Sequence, residues 1–253
     1  MMKSAKKKPI KQNKPDYTSR SLKFSWIAAL ITALSVLGHR FSVIDFQPAL
    51  FGIAIGVLIG LTAIVTGLIG TLHAIKAKQP EIVSTMAGSM LGFLVVAPFF
   101  VTLLSGAGAP QIHDITTDLE HPPEFVAIKP LRIAAHNSLD RLEPENLAAL
   151  QKAGYPDLGP LLLDRSFDQV FNQAVALVRQ RGWTIASASV SAGRIEAIST
   201  TPLMGFKDDV AIRIQAEGNR TRVDMRSASR VGKSDLGANA ARIRAFMADL
   251  DRQ

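Results

Sequence analysis

An uncharged apolar run of 24 residues, from Ala49 to Leu72, constrains this chain more than any other feature of its sequence. As a helix rising about 1.5 Å per residue, the run reaches roughly 36 Å, enough to cross a hydrocarbon core of about 30 Å. Two further apolar runs flank it, Phe24 to about Ile44 and Val83 to Leu104. The pattern predicts three membrane-spanning helices followed by a soluble domain.

The first apolar run is the weakest of the three, because its clean stretch Phe24–Gly38 ends at His39 and Arg40. It spans the membrane if those two side chains lie at the far interface, where a long Arg side chain reaches water. A basic region followed by a short apolar core is also typical of a signal peptide. No convincing small-residue cleavage site follows, so a spanning helix is favoured.

The distribution of Lys and Arg predicts the orientation. The net charge of +8 belongs entirely to residues 1–105, with 11 Lys/Arg against 3 Asp/Glu, whereas residues 106–253 hold 18 of each. The neutral domain gives no electrostatic reason to expect a nucleic-acid partner. The basic tail 1–23 and the loop with Lys76 and Lys78 are predicted to be cytoplasmic. Three crossings then place the C-terminal domain outside, in the periplasm of a bacterium whose inner membrane the helices span.

Small residues recur at four-residue spacing in the second and third apolar runs. They are Gly52, Gly56, Gly60, Gly88 and Gly92. Such spacing lets helix backbones approach closely. We interpret these faces as packing within one chain, with homo-oligomerisation through them as the alternative. No charged residue lies in the middle of a span, which argues against an ion path, so the helices are interpreted as an anchor in the lipid bilayer.

The soluble half is predicted to be an α+β domain. Residues 106–165 are expected to be irregular, with one short helix at 144–152, and the compact part is 166–253. There an amphipathic helix ends at Gly182, and a last helix runs from Leu236 to Leu250 with Asp235 as N-cap. Four segments between them favour an antiparallel four-stranded sheet, with the two helices covering one face. These segments are Trp183–Val190, Arg194–Thr201, Asp208–Gln215 and Thr221–Ser229.

The last hairpin of this sheet can be registered from the sequence. Gly218-Asn219 is a good two-residue turn, so Glu217 pairs with Arg220. That register faces apolar pairs to the core, Ile214 with Val223 and Ile212 with Met225. The opposite face pairs Arg213 with Asp224, Gln215 with Arg222 and Ala211 with Arg226. One face of the sheet is therefore predicted to be lined by Arg213, Arg222, Arg226 and Arg230, with Asp209 and Asp224 among them.

Two motifs carry a resemblance to a known family. They are Phe206-Lys-Asp-Asp-Val210 and the run Arg226-Ser-Ala-Ser-Arg-Val-Gly-Lys-Ser-Asp-Leu-Gly-Ala-Asn-Ala-Ala-Arg-Ile243. With Ile112-His-Asp-Ile-Thr-Thr-Asp118 and Pro122-Pro123, they resemble domain-of-unknown-function family 1499 over about 110–250. The three-helix front end resembles the longer bacterial members. The resemblance implies an envelope protein and brings no established activity with it.

Several site chemistries are disfavoured by spacing. Gly232-Lys233-Ser234 resembles the end of a phosphate-binding loop. That pattern requires a glycine five residues before Gly232, and position 227 is a serine. No His lies near Ser227, Ser229 or Ser234, and the absence of cysteine excludes thiolate and disulfide chemistry. Two His and two carboxylates lie close together in a loop with no enforced geometry, so neither a metal nor a cofactor is predicted. They are His113, Asp114, Asp118 and His121.

The arginine-lined face is the leading candidate site, because guanidinium groups bind phosphate and carboxylate through paired hydrogen bonds. We predict that it binds an anionic ligand or a partner protein. The predicted residues are Arg213, Arg222, Arg226, Arg230, Asp209, Ser229 and Asp235. The alternative for these residues is a self-neutralising ion-pair network. Alternatives for the protein are a hydrolase-like enzyme using Asp208 or Asp235 with the arginines, and a structural subunit of a membrane complex.

Overall fold

The computed structural model describes residues 17–78, 80, 82–142 and 144–253. The chain divides into two compact units. The first holds the described residues up to Ser35 together with Gln47–Phe99, and the second holds Val36–Phe46 together with Phe100–Gln253. The predicted basic tail falls mostly on residues 1–16, which lie outside the described residues.

Three helices are long and apolar enough to cross a membrane, as the sequence predicts. Helix α1 is Tyr17–Arg40, α2 is Phe46–Ala77 and α3 is Ile82–Ser105. The α1 helix begins well before Phe24, so residues 17–23 are helical rather than part of an extended tail. Pro98 lies inside α3, a position that membrane helices tolerate.

The glycines of α2 and α3 lie against groups of the same chain. A methyl group at Gly92 would lie 2.9 Å from the backbone oxygen of Gly60, which shows how closely α2 and α3 approach. Methyl groups at Gly56 and Gly88 would meet Thr32 and Ser21 of α1, and one at Gly52 would meet Ser35. The glycine faces therefore serve packing within one chain. Homo-oligomerisation stays a prediction.

Gly92→Leu is expected to destabilise the helical unit, because overpacking a tight contact costs about 1–3 kcal/mol and the obstacle here is backbone. Unfolding of the detergent-solubilised chain in sodium dodecyl sulfate, followed by circular dichroism, measures the effect. Ala87→Leu is the control, since Ala87 is exposed on the same helix. Equal unfolding midpoints for the two variants would contradict the described packing.

The domain of the second unit is built on a six-stranded antiparallel sheet. The strands are β1 Asp114–Thr116, β2 Leu161–Leu163, β3 Thr184–Ser189, β4 Arg194–Thr200, β5 Lys207–Glu217 and β6 Arg220–Ser229. Their order is β1-β6-β5-β4-β3, and β2 pairs with β6 beside β1. The prediction of four strands is wrong, because β1 and β2 lie in the segment expected to be irregular. A three-residue strand is too short to show alternation, and β6 supplies its pairing from far along the chain.

Three helices belong to this domain: α4 is Leu147–Gly154, α5 is Phe167–Gln180 and α6 is Ala238–Asp251. Ser166 caps α5 by accepting a hydrogen bond from the Gln169 N–H. The main core lies between the sheet and the faces of α5 and α6. It includes Val170, Phe171, Leu177, Ile212, Ile214, Val223, Met225, Ile243 and Phe246.

The start of α6 differs from the prediction. Leu236 and Gly237 have φ angles of 52° and 85°, so the chain turns sharply there and the helix begins at Ala238. The N-cap residue is Gly237, not Asp235. The Asp235 carboxylate instead accepts the backbone N–H groups of Gly237 and Asn239. Asp235 therefore still accepts hydrogen bonds from backbone N–H groups at the helix start, although it lies two residues before the N-cap.

The hairpin register is confirmed throughout. Glu217 pairs with Arg220, Ile214 with Val223 and Ile212 with Met225. On the other face, Arg213 pairs with Asp224, Gln215 with Arg222 and Ala211 with Arg226. The prediction that only one face of the sheet is covered is wrong. The second face is covered by residues 117–142, here called the strap, which form a smaller core with the sheet. That core contains Phe125, Ile128, Leu139, Ile198, Ala211 and Ala228.

Candidate functional site

Arg226 forms a buried ion pair under the strap. Its Nη2 and Nε donate to the Asp114 carboxylate at 2.7 and 3.0 Å. Arg141 of the strap donates to the same carboxylate at 2.6 Å. The remaining Arg226 donors bond the carbonyl oxygens of Pro123 and Leu139. All of these bonds join the Arg226 guanidinium to groups of the chain itself.

Arg230 repeats the arrangement at the end of β6. Its Nη2 donates to Asp209 Oδ1 at 2.8 Å, and Arg132 of the strap donates to Asp209 Oδ2 at 2.7 Å. Burial lowers the pKa of Arg132, although the Asp209 carboxylate opposes that shift. Burial likewise lowers the pKa of Arg141 against the opposing effect of Asp114. Each buried aspartate is thus shared by one arginine of β6 and one of the strap.

Arg226 and Arg230 lie on the face of the sheet that the register predicts, but the strap covers that face here. Both side chains are buried, together with Asp114 and Asp209. The physical reason is the strap, which contributes its own arginines and covers the charges that the sequence places on one face of the sheet. These residues attach the strap to the sheet in an ion-pair network, as in the alternative interpretation, although each buried aspartate is shared by two arginines and does not neutralise both.

Glu196 of β4 is a further attachment point, and sequence reasoning missed it. Its carboxylate is buried and accepts the backbone N–H groups of Val126, Ala127 and Ile128 at 2.9, 3.0 and 2.9 Å. A carboxylate bound by three N–H groups is well compensated for its burial. The sequence signal for this attachment point was a single glutamate between Ile195 and Ala197 within a predicted strand.

Arg213 and Arg222 remain partly exposed, with 22% and 30% of their side-chain surface accessible. Both bond the buried Asp224, Arg213 through Nη2 at 2.9 Å and Arg222 through Nε at 2.8 Å. Both also bond Asp118 of the strap, at 2.9 and 3.2 Å. The pKa of Asp118 is lowered, because the N–H of His121 and the Arg213 guanidinium outweigh an opposing effect of burial.

Arg194 extends this row of arginines, and the sequence analysis did not select it. It lies directly opposite Arg213 in the β4–β5 register and pairs through Nε with Glu196 at 3.1 Å. The Arg194 side chain is 29% exposed, more than that of Arg213. Registering β4 against β5 would have revealed its position, but the loop between them gave no turn signal as clear as Gly218-Asn219.

Two shallow grooves adjoin these arginines. The first, of about 410 Å³, runs between Arg194 and Arg213 and is bordered by Glu120, His121 and Glu124. The second, of about 490 Å³, lies between Arg213 and Arg222 and is lined by Asp118, His121, Gln215, Ala216 and Glu217. Arg213 and His121 form the ridge between the two grooves. We call Arg194, Arg213 and Arg222 the arginine row.

The arginine row brings three guanidinium groups to the two grooves. Like charges directly opposite each other on adjacent strands repel, so the Arg194–Arg213 pair favours an anion close to both. Arg213 already meets Asp118 and Asp224, which leaves Arg194 as the least compensated member of the row. A guanidinium has the fork geometry that binds phosphate or carboxylate through paired hydrogen bonds.

The remaining predicted residues lie on the helix side of the sheet, in a buried polar network. Asp208 pairs with Arg242 of α6, and Arg242 also bonds Ser227. The Asn239 amide accepts a hydrogen bond from Ser227 and donates one to Ser229. These groups satisfy one another's hydrogen bonds. They fix the start of α6 against β6.

Asp208, proposed with Asp235 for the alternative enzyme, lies on the face of the sheet opposite the arginine row. Asp208 faces α6, whereas its neighbour Asp209 faces the strap, as the alternation of a strand requires. Burial, with a further effect of Asp208, raises the pKa of Asp235 against its backbone hydrogen bonds. Gly232 has a φ angle of 88°, which glycine adopts readily, and Gly232-Lys233-Ser234 lies in the irregular segment between β6 and α6.

The four loop residues considered for metal binding are separated by their partners. Asp114 is held by two arginines, and Asp118 binds the arginine row. Burial lowers the pKa of His113, which lies near Asp114 and Lys233, whereas His121 is exposed. Among the described residues, no group of three or more His, Asp or Glu side chains is placed to hold a metal ion.

The comparisons with known proteins agree with the motifs on β5, β6 and α6. The family described as "Protein of unknown function (DUF1499)" matches residues 114–250, more than half of the 253-residue chain. The chain is a DUF1499 protein. The matched region begins at the first residue of β1 and ends in α6, so it contains the whole sheet and the strap. A search of curated proteins finds no match.

Removing one carboxylate charge beneath the strap is expected to destabilise this DUF1499 domain strongly. Asp114→Asn leaves Arg226 and Arg141 buried without their counter-ion, and breaking a buried pair in this way costs about 3–5 kcal/mol. The control is Asp157→Asn, whose partner Arg244 is exposed and whose loss costs at most about 1 kcal/mol. Urea unfolding of the full chain in detergent, followed by fluorescence, measures both. Equal losses would mean that the Asp114 cluster does not hold the strap.

Proposed function

We propose that this protein is a binding protein of the bacterial envelope, anchored in the inner membrane by its three helices. Its DUF1499 domain lies outside the cytoplasm and binds an anionic group, phosphate or carboxylate, on the arginine row. The observation that supports the site is the Arg194–Arg213 pair, two opposed guanidiniums beside a groove of about 410 Å³.

The orientation rests on the flanking charges. Arg20 and Lys23 lie in the first turns of α1, and Lys76 lies in the last turn of α2. Positive residues are retained on the cytoplasmic side of membrane helices, so both of these ends are assigned to the cytoplasm. With three crossings, the C-terminal domain lies on the opposite side.

The absence of cysteine allows a direct test of this orientation. Asn219→Cys places a single thiol in the exposed turn of the β5–β6 hairpin. A membrane-impermeant maleimide is expected to label it in cells whose outer membrane has been permeabilised. Lys76→Cys, at the exposed end of α2, is the control that should be labelled only after lysis. The reverse pattern would place the domain in the cytoplasm.

Charge around the grooves restricts the class of ligand. Glu120 and Glu124 border the first groove opposite Arg194 and Arg213, and the domain as a whole has equal numbers of acidic and basic residues. A long polyanion such as nucleic acid would meet both carboxylates, whereas a single phosphate or carboxylate fits between the arginines. The site therefore suits a small anionic ligand or one acidic side chain of a partner.

The double variant Arg194→Gln/Arg222→Gln tests the site with little damage to the scaffold. Glu196 keeps its three N–H donors without Arg194, and Asp224 keeps Arg213 and Thr117 without Arg222. We expect the full chain to bind inorganic phosphate or a tetraglutamate peptide, measured by titration calorimetry. The double variant should bind about ten- to a hundredfold more weakly, since a charge-assisted hydrogen bond contributes about 1.5–3 kcal/mol.

Arg244→Gln/Arg252→Gln is the matched control. It also removes two positive charges, one on the exposed side of α6 and one just after its end, and neither residue lines a groove. Its affinity should equal that of the wild-type chain. Equal weakening in both double variants would indicate a general charge effect, and a wild-type chain that binds neither probe would refute the proposed site.

A further inference from the structure

One end of the sheet in the second unit presents exposed apolar side chains between exposed lysines. Ile133 of the strap, Leu203 of the β4–β5 loop and Leu236 before α6 are 64%, 65% and 42% exposed. Lys207, at the start of β5, and Lys233, after β6, are also exposed. We call these five residues the base of the domain.

Several contacts place the base residues at the same end. Arg230 N–H bonds the Lys207 oxygen, and Asn137 of the strap bonds the oxygens of Ser229 and Gly232. The pKa of His136, whose Nδ1 accepts the Ile133 N–H, is lowered by burial and by cations that include Arg230 and Lys207. The base is thus formed where β5 begins and β6 ends.

The ends of two apolar helices belong to the same compact unit and touch this end of the sheet. The unit includes Val36–Phe46, with the last residues of α1, and the chain from Phe100 onward, with the end of α3. The His39 ring lies 5.0 Å from the Phe206 ring, and a methyl group at Gly205 would lie 3.0 Å from Arg40 Nη1.

The end of α3 adds an independent contact. A methyl group at Gly106, which follows α3 directly, would lie 2.6 Å from Leu236 Cβ. Leu236 has a φ angle of 52°, a backbone conformation that side-chain-bearing residues rarely adopt. This sharp turn holds an exposed leucine beside the point where the chain leaves α3.

Connectivity decides which side of the membrane these contacts lie on. If α1, α2 and α3 all span, α1 and α3 cross in the same direction, so the ends at Arg40 and Ser105 emerge at one surface. Both ends touch the base or its neighbouring loop. We propose that the base docks on the bilayer surface, with Ile133, Leu203 and Leu236 inserted among the acyl chains' upper segments and Lys207 and Lys233 bound to anionic lipid headgroups.

The chemistry of the base fits a lipid surface. Interfacial binding combines burial of apolar side chains with attraction between basic residues and anionic lipids. A lysine stem can lie along an apolar surface while its ammonium group reaches the headgroups. Isolated exposed apolar side chains are ordinary in soluble domains, but here three lie at the end of the domain where two helix ends join it.

Depth-dependent fluorescence quenching tests the docking. Single variants Ile133→Cys, Leu203→Cys and Asn219→Cys of the full chain are labelled with an environment-sensitive fluorophore and reconstituted in phosphatidylcholine–phosphatidylglycerol vesicles. We expect lipids with a nitroxide near the headgroup to quench the labels at 133 and 203, with a blue-shifted emission. The label at 219, in the turn at the opposite end of the hairpin, should be neither quenched nor shifted.

The lysines are tested in the same assay. Lys207→Gln and Lys233→Gln should each lower the ratio of docked to undocked domain about fivefold, since one lysine near an anionic surface contributes about a factor of five. Arg244→Gln, on the exposed side of α6, should leave the ratio of docked to undocked domain unchanged. Quenching at 133 and 203 no greater than at 219 would overturn the proposal. So would an emission shift that grows with protein density but shows no lipid quenching, because a second copy of the chain would then cover the base.

Discussion

The two aspartates beneath the strap, Asp114 and Asp209, determine the arrangement of the arginine side of the domain. Each is buried between an arginine of β6 and an arginine of the strap. A buried charge without a partner is strongly unfavourable, so each aspartate requires both elements to be in place. The pairing therefore specifies where the strap lies more than it adds to stability, because burying the ions consumes much of their attraction. Glu196 fixes the middle of the strap by binding three consecutive backbone N–H groups.

The same attachment shapes the grooves. Asp118, at the start of the strap, bonds Arg213 and Arg222, and the Arg213 guanidinium also bonds the carbonyl oxygen of His121. One wall of each groove therefore belongs to the strap and the other to the sheet. The positions of Arg213 and Arg222 therefore depend on Asp118 of the strap and on the buried Asp224. A variant that loosens the strap would lose the grooves together with the fold.

The sequence predicted the parts of this molecule that depend on local pattern. The three apolar helices follow from length and composition, and the β5–β6 register follows from one turn and two matching alternations. The sequence did not show which arginines are buried, because Arg226 and Arg230 look identical to Arg222 in a strand pattern. The burial of Arg226 depends on Asp114 and Arg141, and that of Arg230 on Asp209 and Arg132. Most of these partners lie far away in the sequence. Any aspartate can form an ion pair with any of these arginines. The actual partners therefore cannot be identified until the fold is known. The short strands β1 and β2 were missed for the same reason.

The two short strands also decide how this sheet can meet other chains. β1 pairs with Arg226–Ala228 and β2 with Thr221–Val223, so together they occupy most of the outer edge of β6. Within the described residues, β3 is the other edge strand, and its pairing with β4 is interrupted by a bulge between Ile185 and Ser187. A bulged edge is a poor template for strand addition. Partners that extend a sheet with their own backbone, and the aggregation that follows the same route, are therefore disfavoured at both edges, which leaves recognition to side chains.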